Sequence, residues 1–310
     1  MAEALLHPTS ATEKRTALRA LLKKNKALAV PGAFNAMAAK LVEQAGFPAV
    51  YVSGAGLNNG AGGYPDIGML TLNEMAQLSG YIARATHLPT IADVDTGFGE
   101  AMNVFRTVQL YEQEGLAGIH LEDQIFPKRC GHISGKAVID CDAMVQKIKA
   151  AVSAKTDPHF LIIARVDSKA IHGYDDALNR ARAYLDAGAE MIFPEALNTP
   201  EEFEQFAKDL RSSHPDSWLL ANMTEFGKTP IIPLQDFENW GYNMVIYPMT
   251  LFRLMTQCLK ESLSALKADG SQENLIQDMT PRSQLYMDLN YDEYTTFDQT
   301  LQTSAPQNIH

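Results

Sequence analysis

Thr90-Ile91-Ala92-Asp93-Val94-Asp95-Thr96-Gly97-Phe98-Gly99 runs from an apolar stretch through two carboxylates into a glycine turn, and residues 101–114 then follow a helical pattern. A short buried strand, a polar end and a helix make one unit of a parallel sheet. The unit recurs in both directions along the chain. Apolar runs at 27–30, 49–53, 90–94, 118–122, 161–165, 191–194, 218–221 and 244–247 alternate with helical patterns at 36–45, 71–86, 101–114, 142–153, 174–187, 200–212, 233–239 and 250–268. Gly46, Gly115 and Gly188 are placed to end helices, and Thr71 and Asp142 to begin them. Eight strand–helix pairs in strict alternation predict an α/β fold, a (β/α)8 barrel of the TIM type, since such barrels commonly take about 250 residues. An open doubly wound sheet is the alternative, but no G-x-G-x-x-G follows the first strand.

Residues 1–268 are expected to form this catalytic barrel with an amphipathic helix ahead of it. Residues 269–310 form a helical extension and tail. That extension carries Leu285, Tyr286, Tyr291 and Tyr294 at helical spacing and must dock on the barrel or on a neighbouring subunit to bury them. The chain has 310 residues, 46% of them apolar, which argues against disorder. Its 26 basic and 37 acidic residues give a net charge of −11 with no basic stripe, which excludes nucleic acid as a partner. No apolar run is long enough to span a membrane, and no signal peptide opens the chain. Cys130, Cys141 and Cys258 form no metal-finger spacing and suit a reducing, cytoplasmic setting; Cys141 and Cys258 read as packing residues.

Catalytic groups of such a barrel lie at the C-terminal ends of the strands. Those ends carry Tyr51 and Ser53, Asp93 and Asp95, Glu122 and Asp123, Arg165 and Asp167, Glu195, Asn222 and Thr224. Asp93 and Asp95 would point to opposite sides of a continuing strand. They both face the mouth only if the strand stops between them and Gly97 and Gly99 carry the turn. With Glu122 they make a hard, oxygen-rich site that suits Mg²⁺, with Mn²⁺ as a substitute. Otherwise one Asp caps the helix at Ala101 and the other pairs with Arg165. Arg165 can clamp a carboxylate through two nitrogens, or pair with Glu122 or Asp167. Lys128-Arg129-Cys130-Gly131-His132 lies in a long non-helical stretch, and Lys128, Arg129 and His132 would favour the thiolate of Cys130.

Taken with Tyr51-Val52-Ser53-Gly54-Ala55-Gly56, Pro65-Asp66-Ile67-Gly68, Glu122-Asp123-Gln124, Arg165-Val166-Asp167, Phe193-Pro194-Glu195 and Asn222-Met223-Thr224-Glu225-Phe226-Gly227, these motifs resemble methylisocitrate lyases of the isocitrate lyase and phosphoenolpyruvate mutase superfamily over nearly the whole chain. The resemblance implies cleavage of 2-methylisocitrate to pyruvate and succinate, a step of propionate catabolism. It implies Mg²⁺ on Asp93 and Asp95, with Asp66 and Glu122 beyond it through water. Substrate would meet Ser53, Gly54, Ala55, Cys130, Gly131, Arg165, Glu195, Asn222, Met223, Thr224, Arg253 and Arg282. Cys130 would act as the acid with Lys128 and His132 beside it, and Tyr51 or Glu195 as the base. The resemblance also implies a homotetramer that exchanges its last helix. Isocitrate lyases tend to carry Trp at Phe193 and Thr at Ile246, so these two positions are read as setting specificity. Ala55 departs from the glycine common there, and a left-handed backbone at Ala55 would count against its contact with substrate. The rival activities are isocitrate lyase and oxaloacetate decarboxylase on the same fold. A non-catalytic dicarboxylate-binding barrel is the rival of another class.

Overall fold

The computed structural model describes residues 8–24, 26–128 and 137–304. Eight parallel strands close into a barrel in sequence order: β1 Leu28–Ala33, β2 Val50–Val52, β3 Thr90–Asp93, β4 Gly118–Glu122, β5 Leu161–Val166, β6 Met191–Pro194, β7 Trp218–Asn222 and β8 Met244–Tyr247. Closure is made by β1 pairing with β8, where Leu28 stands opposite Met244 and Val30 opposite Ile246. All eight expected strands form.

Side chains alternate along each strand, so the barrel has an outer and an inner core. Ile162, Ala164 and Val166 of β5 face outward into the large cluster shared with the helices, whereas Leu161 and Ile163 join the inner one. Arg165 continues that inward series. The same alternation turns Tyr51, Ile91, Phe193, Leu220, Met244 and Ile246 inward.

The lower end of the barrel is closed by the helix Ala11–Leu22, which begins with a capping box between Ser10 and Glu13. Its Leu18 and Leu22 are fully buried in the inner core. Burying each contributes about 1.5–3 kcal/mol. Lys14 Nζ donates to the carbonyls of Ala83 (2.7 Å) and Thr86 (2.6 Å), and Arg19 forks onto Glu190 at 2.7 and 2.8 Å. The end opposite this helix is therefore where the strands can present functional groups.

The helices around the barrel begin and end largely where their caps predict. Thr71 opens Leu72–Arg84 with a capping box to Glu74, and Gly46, Gly115 and Gly188 follow helix ends with φ of 81°, 91° and 105°. Asp142 is a correction: Asp140 is the N-cap of Cys141–Ala154, and Asp142 stands in its first turn. The chain divides into two compact units, one of Ser10–Arg253 and one of the described residues from Leu254 onward with Pro8 and Thr9. The division falls inside the helix Thr250–Asp269. The second unit also contains Arg282–Asp288 and Tyr291–Ser304. Cys141 packs against the outer core as expected, but Cys258 is exposed, because no residue of Thr250–Asp269 is buried. Among the described residues no helix is long and apolar enough to cross a membrane.

Candidate active site

A cavity of about 510 Å³, counting its open mouth, lies among the C-terminal strand ends. Tyr51, Ser53, Asp66, Asp93, Glu122, Lys128, Arg165, Phe193, Glu195, Asn222, Thr224 and Ile246 line it, with Ala55, Pro248 and Met249. The sequence placed all but the last two of these at or near a site.

β3 stops at Asp93, and Asp95 takes a left-handed backbone (φ 49°), followed by Gly97 at 87°. The strand thus ends between the two carboxylates, as the shared orientation requires. Asp93 Oδ1 accepts from the Asp95 N–H at 2.9 Å. Neither alternative role is filled: the helix Ala101–Gln113 is capped by Glu100 and Asn103, and Arg165 pairs elsewhere. Asp93 and Asp95 are 6% and 3% exposed. Burial pushes both carboxyls up, Asp95 to about 6, against the pull of Lys128. Lys128 Nζ bonds Asp66 and lies 2.7 Å from Asp95 Oδ1. Burial alone would lower its pKa, but Asp95 and Asp66 outweigh that and hold it above the usual lysine value.

Arg165 donates through Nε to Asp167 at 2.8 Å and forms an ion pair with Glu122 at 3.2 Å, and its guanidinium lies 5.0 Å from the centre of the Phe193 ring. Structural pairing and an exposed face toward the cavity coexist in one side chain. Glu122 Oε1 and Asn222 Oδ1 are buried with no hydrogen-bond partner. Each such atom costs about 1–3 kcal/mol if nothing answers it. Glu195, 2% exposed, receives a long contact of 3.4 Å from Asn222 Nδ2.

Tyr51 Oη and His120 Nε2 are 2.9 Å apart, and their rings stack. Burial raises the phenol well above its ordinary value and lowers the imidazole to about 3, so His120 is neutral. His120 was not singled out by the sequence. Its signal was a polar residue at an inward position of Gly118-Ile119-His120-Leu121-Glu122.

Ser53 caps the short helix Gly54–Leu57, its Oγ accepting from the Gly56 N–H at 3.1 Å. Gly54 and Ala55 occupy the first turn, whose N–H groups have no acceptor within a helix. Ala55 is helical, not left-handed, so its departure from glycine carries no strain. A Cβ on Gly54 would come within 2.6 Å of Asp93 Oδ2.

Among the expected substrate contacts in the barrel unit, Gly54, Met223 and Arg253 do not line the cavity. The Met223 side chain is buried in the outer core, and its N–H is committed to the Ile246 carbonyl at 2.9 Å. Arg253 is half-exposed and pairs with Glu225 at 3.4 Å. Arg282 opens the helix Arg282–Asp288 of the second unit. Cys130, Gly131 and His132 lie outside the described residues.

The donor set fits a hard divalent cation: clustered buried carboxylates, an unanswered oxygen on Glu122, and Lys128 set against Asp66 and Asp95. Among the described residues no three His, Cys, Asp or Glu side chains stand together as a ready metal cage. Mg²⁺ does not need one, because it keeps several waters and is held by one or two carboxylates.

The family model for phosphoenolpyruvate phosphomutase matches residues 18–267. A probable 2-methylisocitrate lyase 2 of Corynebacterium glutamicum is 49% identical over 94% of this chain and 93% of its own. The 2-methylisocitrate lyase of Aeropyrum pernix is 42% identical over 94% and 92%. Among solved structures, 2,3-dimethylmalate lyase superposes with a TM-score of 0.86 at 34% identity, covering 97% of this chain and 99% of that one. Phosphonopyruvate hydrolase in complex with oxalate and Mg²⁺ superposes with 0.82 at 29% identity, covering 93% and 98%.

Proposed function

Because the chain belongs to the phosphoenolpyruvate phosphomutase family and is an enzyme of its carbon–carbon lyase branch, we propose that its cavity cleaves 2-methylisocitrate to pyruvate and succinate. The observation that carries this reading is the joining of two chemistries in one buried space. Asp93 and Asp66 line it, with Asp95 held beside them through Lys128, and the Arg165 guanidinium lines the same cavity.

Asp93 and Asp95 would hold Mg²⁺, with Asp66 and Glu122 acting through water. When bound, the ion supplies positive charge beside the substrate's hydroxyl and adjacent carboxylate. Arg165, Asn222 and Thr224 bind the carboxylate that becomes succinate and receive the charge that collects there as the carbon–carbon bond breaks. Ser53 and the N–H groups of Gly54 and Ala55 bind the carboxylate that leaves with pyruvate. We assign the base to Tyr51 rather than Glu195. Its hydroxyl lies at the cavity wall, 2.9 Å from His120 Nε2, and the charges of Arg165 and Lys128 favour the phenolate against the rise that burial imposes. Cys130, flanked in sequence by Lys128 and His132, returns a proton to the carbanion carbon. Phe193 and Ile246, each 1% exposed, form the apolar wall that takes the extra methyl.

The helix Thr250–Asp269 exposes Leu259, Leu263 and Leu266, and Tyr286, Met287 and Tyr291 are exposed further on. Apolar surface on this scale supports assembly through the second unit, here a homotetramer. The acidic balance and the free thiols Cys141 and Cys258 support a cytoplasmic enzyme.

The test is a direct comparison of turnover on 2-methylisocitrate, isocitrate and oxaloacetate with Mg²⁺. Preference for 2-methylisocitrate supports the assignment. Faster carbon dioxide release from oxaloacetate, or product from none of the three, overturns it.

A further inference from the structure

Behind Arg165 lies a buried chain of hydrogen bonds that the cleavage chemistry itself does not use. Arg165 Nε and Nη2 donate to the two oxygens of Asp167 at 2.8 and 3.1 Å. The backbone N–H of Asp167 donates to Asp123 Oδ1 at 2.8 Å, and Gln124 Nε2 reaches Asp167 Oδ1 at 3.2 Å. The other oxygen of Asp123 accepts from Tyr184 Oη at 2.8 Å and Arg180 Nη1 at 3.2 Å. Asp123, Asp167 and Tyr184 are fully buried, and Arg180 is 7% exposed. Arg180 and Tyr184 stand one turn apart on the outer helix Tyr174–Asp186, so one face of that helix meets the barrel at this carboxylate.

We infer that Tyr184 and Arg180 are positioning residues: by holding Asp123 they fix Asp167, and through it the orientation of the substrate-binding guanidinium of Arg165. The inference rests on Arg165 binding a substrate carboxylate, as the cleavage reading requires. Arg165 has more than one direction open to it, because Glu122 competes for Nε at 3.2 Å. The fork onto Asp167 sets the plane of the guanidinium only while Asp167 itself is held. A buried carboxylate that loses a donor shifts toward those that remain, here Arg180 on Oδ2, and that shift strains the bond from the Asp167 N–H to Oδ1. The effect therefore reaches the cavity from a residue that does not line it.

Tyr184→Phe is the cleaner perturbation, since it removes one hydroxyl and leaves the ring. Arg180 also donates to the Ile139 carbonyl at 2.8 Å, so Arg180→Lys disturbs a second connection and serves as the back-up variant. Tyr174→Phe is the control: it lies on the same helix, but its hydroxyl bonds Asp209 at 2.8 Å, away from this chain of contacts. Succinate affinity is measured by calorimetry on the whole enzyme with Mg²⁺, together with KM and kcat for 2-methylisocitrate. The work is done at about pH 8, because burial pushes the Asp123 acid up to about 6. Tyr184→Phe is expected to weaken succinate binding and raise KM by roughly tenfold with a smaller change in kcat, while Tyr174→Phe leaves both within about twofold. If Tyr184→Phe does not fold, the same split is expected of Arg180→Lys. Equal shifts in the Tyr184 and Tyr174 variants, or unchanged succinate binding in a folded Tyr184 or Arg180 variant, overturn the inference. Wild-type enzyme inactive on 2-methylisocitrate overturns the cleavage reading instead, and succinate binding still decides this one.

Discussion

Gly54→Ala presses on the metal site while keeping the backbone N–H assigned to a substrate carboxylate. Gly54 is helical, so alanine meets no backbone strain, and only space opposes it. Its Cβ would lie 2.6 Å from Asp93 Oδ2 and 2.9 Å from Asp93 Cγ, where ordinary contact begins at 3.4 Å. The carboxylate must therefore retreat by about 0.8 Å, straining its bond from the Asp95 N–H. Overpacking of this kind costs about 1–3 kcal/mol of stability. A displacement near 1 Å in a catalytic group can cost about a hundredfold in rate, and disturbed metal surroundings cost about 10–100-fold in affinity. The assay follows pyruvate release against Mg²⁺ concentration. The expected result is a tenfold or greater rise in the Mg²⁺ needed for half-maximal rate and a fall of about a hundredfold in kcat/KM. Gly56→Ala supplies the comparison, since its Cβ meets Phe34 and Ser53 side chains at 3.2 Å and never Asp93. It should lose stability without changing the Mg²⁺ requirement. If Gly54→Ala folds and keeps the wild-type Mg²⁺ curve, Asp93 does not hold the ion as described.

Four other outcomes follow from the same geometry. Treatment with EDTA should abolish cleavage and added Mg²⁺ restore it; activity that survives chelation contradicts the metal role. Cys130→Ser should lose most turnover while succinate affinity stays within about twofold, whereas full activity would remove the acid role. Phe193→Trp with Ile246→Thr should shift the ratio of kcat/KM for 2-methylisocitrate over isocitrate toward isocitrate by about 10–200-fold, the range a single methyl allows, and an unchanged ratio would place the methyl elsewhere. Glu190, partly buried between Arg19 and Lys155, has its acid held below the usual 4.5 by their donated bonds and charges, which outweigh desolvation. A depressed acid stabilises the fold above 4.5 and stops doing so as pH falls through its folded value. The melting-temperature gap between wild type and Glu190→Gln should therefore be full near neutrality and close in acid, and a gap that widens in acid refutes it.

Strand positions were legible because buried parallel strands are short apolar runs between glycines and helices, and the sequence carries eight of them. Closure into a barrel followed from the count. The site was legible wherever a charged residue ended such a run, as at Asp93, Glu122 and Arg165. His120 was less visible because it sits inside an apolar run, where a histidine reads as core until the inward register of β4 is known. Register also explains the miss at Met223. It follows the inward Asn222 and so points outward, and its N–H is spent on β8. Asp142 lost the cap to Asp140 because two acids of equal propensity flank the helix start and only backbone geometry separates them. Pro248 and Met249 carry no polar signal and join the cavity only through the turn after β8. The Asp123–Tyr184 contact spans 61 residues of sequence, a distance at which nothing in local pattern announces a hydrogen bond.

The most direct test is an anomalous-difference map of crystals soaked with Mn²⁺, pyruvate and succinate. A single strong peak is predicted between Asp93 and Asp95, with one carboxylate of a bound product beside it and another on Arg165. A map that places the cation away from both aspartates, or the products on a different face of the barrel, contradicts the account.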